Sequence, residues 1–220
     1  MAAVDPGLPQ FWFLLSRLGE AQTALPAALL AAWVLVRHPQ ARSLALWWMA
    51  LLGAAIVLTT ASKLAFIGWG IGSAELDFTG VSGHAMFASA VYPLLLGTVV
   101  AARAPPAGRR IAVAAGFVLG VLVGVSRVVI GVHSVSEVVL GLLLGGLVSV
   151  LALALAHLPR VRIGPAIPIV VVLFVALMPA HAPASLTHSA VVRLSLKLSG
   201  HPTPYTRADM LRRRGVPGAV

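Results

Sequence analysis

Residues 126–137, SRVVIGVHSVSE, put a guanidinium, an imidazole and a carboxylate inside an otherwise apolar part of the chain. Ionisable groups are costly in a bilayer and mark function by default. If the chain turns helical at about His133, Glu137 lies one turn further along the same face. Its carboxylate can then take a hydrogen bond from one ring nitrogen of His133, fixing the tautomer and leaving the other nitrogen as base or nucleophile. Arg127 adds a permanent charge with a planar fork of donors that suits phosphate oxygens. A second polar cluster, Ser82-Gly83-His84, opens another apolar run. There Ser82 is a candidate N-cap, Gly83 lets the backbone approach a ligand, and the first amides of a helix are free to meet an anion. The two clusters together describe a phosphate site with two histidines.

Working outward, the 220 residues are 59% hydrophobic and only 10% charged, with a mean hydropathy of +0.97. These values exclude an ordinary soluble domain. Apolar runs at about 21–36, 44–62, 84–102, 111–128, 134–157 and 166–180 approach the ~20 residues that cross a bilayer, the last being short and flanked by proline. The stretch before them, PQFWFLLSRLGEAQ, is broken by Arg17 and Glu20 and reads as an interfacial helix anchored by Phe11, Trp12 and Phe13. The expected fold is therefore all-α, a polytopic membrane helical bundle of about six transmembrane helices plus an N-terminal interfacial helix. Its parts are an interfacial segment 1–20, a membrane domain 21–180 and a basic tail 181–220.

A net charge of +10 raises the question of nucleic acid, but the placement of the arginines answers it. Arg37, Arg42, Arg103, Arg109, Arg110, Arg160 and Arg162 fill three short loops that hold no acid, whereas Asp5, Glu20, Glu75, Asp77 and Glu137 fall on the alternate side. The basic loops are expected in the cytoplasm and both polar clusters outside. Lys63, at the end of the second run, comes to the same outer level. No nucleic-acid partner is expected. The absence of cysteine excludes disulfides and thiolate chemistry. Gly116, Gly120, Gly124, Gly141 and Gly145 recur at four-residue spacing and read as close helix packing.

The two clusters resemble the second and third signature motifs of the type 2 phosphatidic acid phosphatase superfamily, PSGH and SRxxxxxHxxxD. Here they read VSGH (Val81 to His84) and SRVVIGVHSVSE, with the spacing kept and Glu137 in place of Asp. The first motif, KxxxxxxRP, is reduced to Lys63, because its Arg-Pro positions hold Gly70 and Ile71. The resemblance spans roughly Leu18 to His157. It implies a metal-independent hydrolase with no cofactor, acting on a lipid phosphate or diphosphate at the outer face of a bacterial inner membrane. In the implied roles His133 is the nucleophile that becomes phosphohistidine, His84 the proton donor, and Glu137 the group that orients His133. Lys63, Ser82, Gly83 and Arg127 hold the phosphate oxygens.

Blander readings compete at each residue. His84 can cap its helix, Lys63 can snorkel to the interface, and Glu75 and Asp77 read as solvated loop residues. His84, His133 and Glu137 resemble a zinc triad, but Arg127 beside them disfavours a cation. A phosphotransferase on the same scaffold and a non-catalytic lipid-binding protein are the alternative functions. The tail carries Arg193, Lys197, Arg207 and Arg212-Arg213-Arg214. It is expected either to fold over the outer mouth of the site and supply the missing cation, or to rest on anionic lipid.

Overall fold

The first five apolar runs form helices in the computed structural model, which describes residues 10–101, 103–156, 158 and 186–213. The order is α1 (Gln10–Arg17), α2 (Ala21–Val36), a 3-10 turn (Pro39–Ala41), α3 (Arg42–Trp69), α4 (Gly83–Val100), α5 (Pro106–Val129), α6 (Val135–Leu155), α7 (Leu186–Ser199) and α8 (Arg207–Arg213). Five stretches, 10–36, 39–69, 83–100, 106–129 and 135–155, are long and apolar enough to cross a membrane. The chain is thus an all-helical integral membrane protein with five such segments among the described residues. The sixth expected run, 166–180, lies outside them.

The helix ends follow local chemistry. Pro106 opens α5, where its missing N–H costs nothing. Ser134 caps α6 by accepting from the Glu137 amide, while the Glu137 side chain accepts in return from the Ser134 amide. This reciprocal capping box satisfies two donors that a helix start would leave orphaned. α3 ends at Gly70, whose φ of +68 is the left-handed geometry that glycine accepts without strain.

α4 is the axis of the bundle. Every residue from Ala85 to Leu95 is buried, and α2, α3, α5 and α6 all pack against it. The outer helices turn apolar side chains such as Trp33, Leu58, Val118 and Leu143 outward, the surface expected of a protein solvated by lipid. Because lipid is as apolar as the core, helix association depends on close approach and interhelical hydrogen bonds. Both are present around α4. A Cβ on Gly145 would fall 2.1 Å from the Met86 carbonyl oxygen and one on Gly116 2.4 Å from Pro93 Cα, so neither position has room for a side chain. Pro93 has no N–H to give the carbonyl of Ser89 one turn earlier. The Ser149 hydroxyl of α6 donates to that carbonyl instead, at 2.8 Å. Trp48 of α3 donates its indole N–H to the Ala90 carbonyl at 2.9 Å.

The N-terminal helix is more deeply docked than an interfacial helix would be. Leu15, Ser16 and Arg17 are buried and α1 packs on α5, while Phe11 stays exposed. The α1–α2 turn presses on the start of α4, where a Cβ on Gly19 would lie 2.7 Å from the His84 carbonyl oxygen.

Candidate active site

Three helix ends and one loop meet at a single level of the bundle. α5 ends at Val129, and a turn closed by Gly131 at φ +75 carries the chain back toward α6. The amides of Val132 and His133 both donate to the Arg127 carbonyl, at 3.2 and 3.3 Å. His133 therefore sits just before the N-cap of α6, two residues ahead of the helix that sequence reading started near it. Its Nδ1 lies 2.6 Å from Glu137 Oε2. That contact leaves Nε2 as the outward nitrogen of the ring. Burial holds the His133 imidazole below its ordinary range, against the upward pull of the Glu137 carboxylate.

Glu137 is fully buried, yet both of its oxygens are occupied. Oε2 accepts from His133 and from the Ser134 amide at 3.1 Å. Oε1 accepts from the Thr79 amide at 2.7 Å, from the Thr79 hydroxyl at 2.5 Å and from Arg207 Nη2 at 2.7 Å. A buried carboxylate with both oxygens bonded this way is held in one orientation.

The second cluster is tied directly to the first, since the Ser82 amide donates to the Glu137 carbonyl at 3.0 Å. Ser82 is the N-cap residue of α4, but its hydroxyl makes no capping bond. Gly83 and His84 occupy the first turn, where amides have no acceptor within the helix. The Lys63 ammonium reaches across from α3 to within 3.8 Å of where a Gly83 Cβ would be. Lys63, Arg127 and His133 all stand within electrostatic reach of the His84 ring. Arg127 is braced by α1, its Nη1 donating to Ser16 Oγ at 2.5 Å. The structure thus brings all seven candidates, Lys63, Ser82, Gly83, His84, Arg127, His133 and Glu137, to one place.

Two polar atoms in this cluster, Ser82 Oγ and Arg127 Nε, are buried and lack a hydrogen-bond partner, as does the neighbouring Thr59 Oγ1. Buried polar groups are nearly always satisfied. Two orphaned donors beside a lysine and a helix start are chemistry that can cradle an anion.

Asp77 is the half-exposed loop residue that its sequence reading expected, but it also forms an ion pair with Arg207, which that reading did not anticipate. Sequence reasoning also passed over Ser134, although S-x-x-E before an apolar run signals a capping box. Thr79 and Ser16 carried no such signal: each is an ordinary hydroxyl residue far along the chain from its partner.

The family model of the PAP2 superfamily matches residues 63–160, an interval that opens on Lys63 and contains every candidate named above. A protein of Klebsiella pneumoniae is 44% identical over 144 residues, covering 66% of this chain and 68% of its own. The chain belongs to the PAP2 superfamily. That Klebsiella relative is described only as an uncharacterized 22.5 kDa protein in the cps region. Among solved structures, the first transmembrane PAP2 type phosphatidylglycerolphosphate phosphatase from Bacillus subtilis superposes with a TM-score of 0.52 at 25% identity. The match covers 69% of this PAP2 chain and 78% of that one.

Proposed function

We propose that this PAP2 protein removes phosphate from a lipid phosphate or diphosphate through a phosphohistidine on His133. The observation that carries the reading is the cradle: orphaned donors on Ser82 and Arg127 share one end of the bundle with Lys63 and a histidine whose Nδ1 is committed to a buried carboxylate. In the first step His133 Nε2 forms a bond to phosphorus as the bond to the lipid oxygen breaks. His84 gives that oxygen its proton. In the second step water attacks phosphorus, His84 takes the water's proton, and the P–N bond breaks to release phosphate and the free imidazole. Lys63, Arg127, the Ser82 hydroxyl and the Gly83 amide hold the equatorial oxygens throughout, where the charge of the transition state is spread. A site at the end of a bundle with lipid-facing walls receives a headgroup while its tail stays in hydrocarbon.

The purified protein in neutral detergent should release phosphate from at least one of phosphatidic acid, phosphatidylglycerol phosphate and a polyprenyl diphosphate, and vanadate should block it. Absence of release from the whole panel would sink the assignment.

The site is proposed to face the exterior. Arg37, Arg42, Arg103, Arg109 and Arg110 all lie in the connections and first helical turns at the end of the bundle away from it, in keeping with the positive-inside tendency. The chain has no cysteine of its own, so single thiols report cleanly. A thiol introduced as Leu76→Cys should react with an impermeant reagent in intact cells and one introduced as Ala107→Cys should not, both positions being exposed. The reverse labelling would place the site in the cytoplasmic leaflet.

A further inference from the structure

The arginine missing from the first signature motif has left a gap that the C-terminal segment occupies. A Cβ on Gly70 would lie 2.9 Å from the ring of Tyr205, so any longer residue there would exclude that ring. Tyr205 also donates its amide to the Ile67 carbonyl at 2.9 Å and packs edge-on against Phe66 with ring centroids 5.7 Å apart. His201 Nδ1 lies 2.7 Å from the Gly68 carbonyl oxygen, and Ser195 of α7 donates to the Leu64 carbonyl at 3.0 Å. Met210 of α8 is buried, with its sulfur near Gly72. The segment is therefore fastened along the last two turns of α3 and the loop beyond.

This docking delivers one side chain to the site. Arg207 forms an ion pair with Asp77 through Nη1, while Nη2 lies 2.7 Å from Glu137 Oε1 and 3.3 Å from Thr79 Oγ1. The other described tail cations stay outside: Arg193 and Lys197 are exposed, Arg212 pairs with Asp209, and Arg213 lies over the Tyr205 ring. Arg207 and His133 thus hold opposite oxygens of the same buried carboxylate.

We propose that residues 200–213 are a strap that completes the active site, with Arg207 as a positioning residue that acts on His133 through Glu137. The inference rests on the phosphatase reading above, and Arg207 lies outside the interval 63–160 that matches the family. A guanidinium fork can satisfy two carboxylates in one plane. Holding Oε1 turns Oε2 toward the imidazole, and sharing the carboxylate's charge limits how strongly it favours the imidazolium. Loss of Arg207 should therefore slow the chemical step rather than weaken binding, and should raise the pH at which His133 becomes available as a nucleophile.

The test compares full-length wild type, His133→Ala, Arg207→Ala and Arg207→Lys in neutral detergent, with para-nitrophenyl phosphate and phosphatidic acid of eight-carbon chains as substrates. For Arg207→Ala, kcat should fall roughly 10- to 100-fold, the range seen when an orienting partner is lost, with KM little changed. The acid limb of its pH profile should move to higher pH. Millimolar guanidinium should restore part of its kcat but none to His133→Ala, and Arg207→Lys should fall between wild type and alanine. An Arg207→Ala protein with wild-type constants and pH profile overturns the inference and leaves the phosphatase reading standing. So does a rise in KM alone, which would make Arg207 a substrate contact. A loss that neither guanidinium nor lysine restores, with an unmoved pH limb and a lowered melting temperature, marks the strap as structural and also overturns it. Wild type that releases no phosphate overturns the phosphatase reading, and the inference falls with it. Should Arg207→Ala fail to fold, the lysine variant and Tyr205→Ala, which loosens the strap without touching Glu137, carry the same comparison.

Discussion

His133→Ala should lower phosphate release by roughly four orders of magnitude or more, the scale on which losing a nucleophile acts, while the protein inserts and melts much as before. His133 lies in the turn between α5 and α6, and its backbone amide bonds to the Arg127 carbonyl, so the turn does not depend on the ring. What disappears is the nitrogen opposite Glu137. Burial keeps that imidazole below its usual range and hence neutral near pH 7, the form that can attack. The cradle of Lys63, Arg127 and Ser82 remains in the variant, which should still bind substrate with a similar affinity. The measurement is kcat on the lipid phosphates above together with binding of vanadate or phosphate. Normal turnover by a folded His133→Ala protein would remove the covalent mechanism.

Glu137→Gln should cost roughly 10²- to 10⁴-fold in kcat, as when the carboxylate behind a catalytic histidine becomes an amide. The structure adds a second reason. Oε1 faces the Thr79 amide and hydroxyl and Arg207, and Oε2 faces His133 and the Ser134 amide, so both oxygens only accept. Whichever way the glutamine amide turns, its NH2 meets the N–H of Thr79 or of Ser134 at a side chain with no exposed surface. The mismatch should also cost about 1–3 kcal/mol of stability, the usual penalty for an unsatisfied buried group. Denaturation midpoint and kcat measured together separate the two effects. A glutamine variant that turns over at the wild-type rate would show that Glu137 is a helix cap and nothing more.

Local readings of this chain carried far because its informative chemistry is local. An apolar run long enough to cross a bilayer has little choice but a helix, since every backbone group must be satisfied within the segment. Runs such as 21–36 therefore matched α2 end to end. The His133–Glu137 pair was legible because four residues near a helix start bring two side chains together wherever the rest of the chain goes.

Elsewhere the readable signal stopped at residue type. The five tail cations among the described residues, Arg193, Lys197, Arg207, Arg212 and Arg213, look alike in sequence, yet only Arg207 meets Glu137. Gly70 read as the loss of a cation, whereas in the structure it ends α3 and makes room for Tyr205. Thr79 and Ser16 gave no hint that they brace Glu137 and Arg127. By itself, then, the sequence determined the helices that begin between residues 21 and 135, the family and the residues of the two polar clusters, whereas the tail helices α7 and α8 were not read from it. Only the tertiary structure decided which distant donors hold the buried carboxylate and which tail arginine reaches it. Those partners are set by the close packing of α4 against α5 and α6 and by the docking of the C-terminal segment on α3, and no interval along the chain encodes either.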